Sequence, residues 1–71
     1  MIETNEKIRI LLKRKNLTVT ELSEKIGTTR QNLTNKLARN NFNENDLKLI
    51  ASALNCTINI TFQDVDSGEV L

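Results

Sequence analysis

Residues 25–37 read KIGTTRQNLTNKL: a glycine and two threonines, then a run of cationic, amide and hydroxyl side chains broken only by Leu33 and Leu37. Gly27 suits the left-handed backbone that terminates a helix. Thr29 can accept a hydrogen bond from the amides that open the next one, starting at Arg30. With residues set roughly 100° apart, Leu33 and Leu37 mark a buried side, and Gln31 and Asn35 fall nearly opposite, with Ala38 beside them. The stretch therefore reads as a helix end, a tight turn and a short helix with a polar outer face.

Upstream, LTVTEL at 17–22 carries a capping box. Thr18 caps, Glu21 returns the bond three residues on, and Leu17 and Leu22 form the hydrophobic staple, which predicts a helix over 19–26. Together the two helices and the glycine turn make a helix-turn-helix over 18–38, with its second helix at 30–38. Further upstream, Ile8, Leu11 and Leu12 have helical spacing and predict a helix over about 4–15, with Asn16 as its stop. Downstream, FNENDL at 42–47 repeats the box with Asn43 and Asp46 and the staple with Phe42 and Leu47. It predicts a helix over about 44–54 that turns Leu47, Ile50, Ala51 and Leu54 inward.

From Cys56 the period changes to two. Cys56, Ile58, Ile60 and Phe62 alternate with Thr57, Asn59, Thr61 and Gln63, the pattern of a strand with one buried face. Asp66-Ser67-Gly68 can form a three-residue hairpin loop with Gly68 left-handed, followed by a return strand over about 69–71. The expected fold is mainly α: four helices, with a C-terminal β-hairpin after them. Residues 1–55 form the helix-turn-helix unit, and 56–71 form a hairpin belonging to the same domain.

Composition limits the function. The chain has 71 residues, 38% hydrophobic and 27% charged, which fits a single small globular domain. It has one cysteine, Cys56, and no histidine, so an internal disulfide and the commonest base and metal ligand are missing. No enzyme and no cofactor are expected. Neither a membrane span nor a signal peptide is recognisable, so a cytoplasmic location is expected. The net charge of +1 conceals a division: residues 1–39 hold nine Lys/Arg against four Glu, and residues 40–71 hold one Lys against five acids. That polarity suggests an N-terminal half facing a polyanion.

The outer face of the 30–38 helix suits such a polyanion. An Arg can bond guanine O6 and N7 bidentately, and Gln or Asn can do the same for adenine N6 and N7. Arg30 in the first turn opposes the helix dipole, a cost that nearby phosphates would offset.

With these features, the chain resembles the lambda-repressor/Cro-like (XRE-type) helix-turn-helix family. The resemblance runs through LTVTELSEKIGTTRQNLTNKL and LKLIASALNCT, about residues 4–57. It implies a four-helix repressor-like domain that binds operator DNA as a dimer, with the third helix in the major groove. Carried over by position, Arg30, Gln31 and Asn35 fall where the family reads bases. Thr18, Thr29, Asn32, Lys36 and Arg39 fall at or near positions that meet phosphates. Val19 stands where many members carry a phosphate-gripping Gln. Leu12 and Leu37 stand where several members pair an Arg with a Glu, and CTINITF replaces the usual fifth helix.

An open strand edge invites pairing. The 57–62 strand is accordingly expected to meet its twin across a two-fold axis, burying Ile58, Ile60 and Phe62; the alternative is a hairpin packed back on helices one and four of a monomer. The leading expectation is a homodimeric, sequence-specific regulator of double-stranded DNA, a repressor of phage or mobile-element type. Two others stand beside it: an antitoxin whose hairpin grips a toxin, and a protein-interaction module with no DNA role.

Overall fold

A computed structural model describes residues 2–71 and contains four helices: α1 (Thr4–Arg14), α2 (Val19–Ile26), α3 (Arg30–Arg39) and α4 (Glu44–Ala53). Both capping boxes close. The Thr18 hydroxyl oxygen accepts from the Glu21 amide, and the Glu21 carboxylate accepts from the Thr18 amide, each at 3.1 Å. Asn43 and Asp46 exchange the equivalent bonds at 2.7 and 3.1 Å. The helices also stop by one shared device. Asn16, Gly27, Asn40 and Asn55 all have positive φ, between 51° and 75°. The following amide then reaches back to a carbonyl of the last turn: Leu17 to Leu12, Thr28 to Ser23, Asn41 to Lys36 and Cys56 to Ala51, at 2.8–3.1 Å. Asparagine tolerates this conformation better than other side-chain-bearing residues, so three of the four stops need no glycine.

The core follows from i, i+4 pairs on successive helices. Ile8 and Leu12 of α1, Leu22 of α2, Leu33 and Leu37 of α3, Ile50 of α4 and Leu54 just beyond it form one buried cluster. Leu22 is wholly buried, and α2 packs against both α3 and α4. Leu12 and Leu37 share this apolar interior, so the fold holds without an ion pair at those positions. Leu47 and Ala51, expected inside, are only half-buried. A polar clasp ties α1 to α3. The Asn5 amide donates to Asn40 Oδ1, and Asn5 Nδ2 donates to the Leu37 carbonyl, both at 2.9 Å.

The expected C-terminal strand and hairpin do not form. Among the described residues the one β-type pairing is an isolated antiparallel bridge between Gln63 and Val70. Phe62 and Leu71 exchange backbone bonds at 2.9 and 2.8 Å, and the Asp64 amide donates to the Glu69 carbonyl at 2.8 Å. Leu71 thus lies opposite Phe62, and among the described residues no segment pairs with 57–61. Alternation alone cannot make a strand when its ladder lacks a second side. Gly68 is left-handed as expected, with φ 76°, but the turn falls at 65–67 rather than at 66–68, and the Gly68 amide donates to the Asp64 carbonyl at 2.7 Å.

Residues 57–71 therefore form an exposed arm, and the molecule extends 43 Å against 22 Å in the other two directions. Its root folds back on the helices: Cys56 packs on the core, and Ile58 helps line an apolar groove with Leu11, Leu47 and Leu54. Ile60 and Phe62 do not follow it. They are 48% and 74% exposed, so packing within the monomer covers only the arm's base.

Candidate nucleic-acid interface

Two anchors hold α3. Leu33 and Leu37 are buried behind it, and Thr29 caps its start by accepting from the Asn32 amide at 3.1 Å. These fix the rotation of the helix. Arg30, Gln31, Asn32, Thr34, Asn35, Ala38 and Arg39 are consequently exposed. The small Ala38 is exposed on the same helix as Gln31 and Asn35.

The polar side chains are organised. Gln31 Nε2 donates to Asn35 Oδ1 at 3.3 Å, one turn along the helix. Asn32 Nδ2 donates to the Thr28 hydroxyl at 2.7 Å. Asn32, Asn35, Lys36, Arg39 and Asn41 line one shallow depression beside the helix. The capping hydroxyls of Thr18 and Thr29 accept from backbone amides, which leaves each hydroxyl proton free to donate outward.

Lys36 is placed differently from the other candidates. Its ammonium donates to Asp46 at 2.8 Å, joining α3 to the first turn of α4, with the two side chains 32% and 18% exposed. The hydrogen bond from Lys36 holds the Asp46 carboxyl below its ordinary pKa, and the Asn43 amide adds to this while partial burial opposes it. Sequence spacing carried no sign of this pair, since ten residues and a turn separate its members. Arg30 and Arg39 are in no ion pair among the described residues.

The helix ends differ electrostatically. Glu6 lies in the first turn of α1, Glu21 in that of α2, and Glu44 and Asp46 in that of α4; α3 has no acid there. A helix N-terminus carries about half a positive charge and unpaired amides. In α1, α2 and α4 nearby carboxylates offset that charge, whereas α3 adds Arg30 to it. Val19, by contrast, is partly buried against the core and offers no polar contact.

This is the surface of a helix-turn-helix that presents its second helix outward. The family model for the Cro/C1-type HTH DNA-binding domain matches residues 7–59, and the chain belongs to that family. The match takes in all of α2, α3 and α4, most of α1, and the root of the arm. Searches of curated proteins and of solved structures give no match. No helix among the described residues is long and apolar enough to cross a membrane.

Proposed function

We propose that this DNA-binding domain is a sequence-specific transcriptional regulator, a small cytoplasmic repressor of phage or mobile-element type that reads a near-palindromic operator as a homodimer. The observation that carries the proposal is the α3 surface: exposed Arg30, Gln31 and Asn35 on a helix whose N-terminus has no carboxylate. In this reading α3 lies in the major groove. Arg30 takes a guanine, Gln31 and Asn35 take base edges, and no chemistry is catalysed. Thr18, Thr29, Asn32 and Arg39 meet phosphates and set the register. Lys36 is a weaker phosphate contact, because one of its three hydrogens and much of its charge are engaged by Asp46.

The arm supplies the dimer contact. Ile58, Ile60 and Phe62 are 37%, 48% and 74% exposed and follow one another along the chain, an apolar strip that a second copy can cover. Half-sites would then lie ~34 Å apart, one turn of the duplex.

Selection of bound sequences from a random duplex library, followed by anisotropy across a salt series, tests both parts. The expected result is an enriched inverted repeat whose affinity falls steeply with salt. Binding without sequence preference would remove the regulator, and an enriched single half-site bound by monomer would remove the dimer. Absence of any duplex binding, together with co-purification of a partner protein through the arm, would favour the antitoxin or interaction-module alternative.

A further inference from the structure

We propose that the two copies of the dimer exchange arms, the arm of each seating on an apolar, cation-rimmed patch on the outer side of α1 of the other. This rests on the homodimeric reading and narrows it to one pair of surfaces.

Among the described residues, the large apolar side chains left exposed fall into two groups, Leu49 apart. One is the arm, where Ile60, Phe62 and Val65 stand open to solvent. The other is Ile2 and Ile10, which line a shallow patch with Leu11, Lys7 and Arg14. The two groups differ in charge. The chain has no Lys or Arg after Lys48, and the arm holds Asp64, Asp66 and Glu69. The α1 patch is lined by two cations and no acid. None of these five charged groups is in an ion pair among the described residues.

One chain thus leaves open two apolar surfaces, one edged with carboxylates and the other with cations. Each suits the other better than it suits itself, since an arm laid on its twin would meet no cation at all. Arm on patch gives an apolar centre ringed by opposite charges, the usual anatomy of a specific interface. The position of the patch makes the contact reciprocal. It adjoins the groove that holds the arm's root and shares Lys7 and Leu11 with it. An incoming arm therefore lies beside the receiver's own arm root, so the same contact can form twice about a two-fold axis. The end of the arm is also shaped in advance. Phe62 and Leu71 exchange backbone bonds, and the Gly68 amide donates to the Asp64 carbonyl at 2.7 Å, which lowers the ordering cost of docking.

The test is a charge exchange between two full-length variants, Lys7→Glu with Arg14→Glu in one and Asp64→Lys with Asp66→Lys in the other. All four side chains are exposed, and far-UV circular dichroism shows whether the helices remain. Sedimentation equilibrium measures association. Each variant alone should have its dimer dissociation constant raised about a hundredfold, because a symmetric change strikes both contacts. Mixed in equal amounts they should dimerise again, the acidic arm of the first meeting the basic patch of the second and the basic arm of the second meeting the acidic patch of the first. If either variant alone dimerises as well as wild type, the arm exchange is refuted while the homodimer stands. Two monomeric variants that stay apart when mixed refute it equally. A monomeric wild type removes both the exchange and the homodimer.

Discussion

Replacing Asp46 with Asn tests the link between α3 and α4 directly. Asp46 touches two things: the Lys36 ammonium at 2.8 Å, and the Asn43 amide through the capping box at 3.1 Å. The new amide oxygen can still accept from Asn43, so the box survives and the negative charge is lost. A mostly exposed ion pair contributes about 0.2–1 kcal/mol. With side chains 32% and 18% exposed, this pair belongs near the top of that range. A carboxylate in the first turn of α4 adds about 0.3–1 kcal/mol through the helix dipole. Asp46→Asn should therefore cost about 1–1.5 kcal/mol at neutral pH. For a domain of this size that lowers the melting temperature by roughly 5–10 °C.

The pH dependence sharpens the test. The folded-state pKa of Asp46 lies below its ordinary value of 3.8, so folding favours the ionised form. The stabilisation is complete above the unfolded-state pKa and is lost as pH falls through the lower folded-state value. Thermal unfolding of both proteins by circular dichroism, from neutral pH into the acid range, should show curves well separated near neutrality and converging only once the pH has fallen below the ordinary carboxylate value of 3.8. A difference that persists unchanged to pH 2, or none at pH 7, would refute this account of the contact.

Asn40 both adopts φ 51° and accepts from the Asn5 amide. Asn40→Gly should cost about 1 kcal/mol for the lost bond, and Asn40→Ala about 1–2 kcal/mol more for the left-handed backbone, read by urea denaturation. On DNA, Arg39→Ala should flatten the salt slope by about one, and Lys36→Ala by clearly less, because Asp46 already offsets its charge; anisotropy at several salt concentrations compares them. Ile60→Lys combined with Phe62→Lys should leave the helical spectrum intact and give a monomer in sedimentation, since neither side chain belongs to the core.

Most of the helical architecture was legible in the sequence because its signals are local. Thr18 with Glu21, Asn43 with Asp46, and the glycine at 27 act within a few residues of themselves, and all four helices lie where spacing and caps put them. The leucines at 33 and 37 likewise announce which side of α3 is covered, and hence which side faces out. Two further stops, Asn40 and Asn55, use the same chemistry as Asn16 and were open to the same reading.

What only the tertiary structure decided depends on groups far apart in the chain or on a missing neighbour. Lys36 looks like a free cation until α4 brings Asp46 to it, and Asn5 has no evident role until Asn40 arrives beside it. Alternation at 56–62 says which side chains share a face, but a strand also needs backbone opposite it, and among the described residues that pairing is confined to Phe62–Asp64 with Glu69–Leu71. Periodicity is a property of one segment, whereas pairing is a property of two.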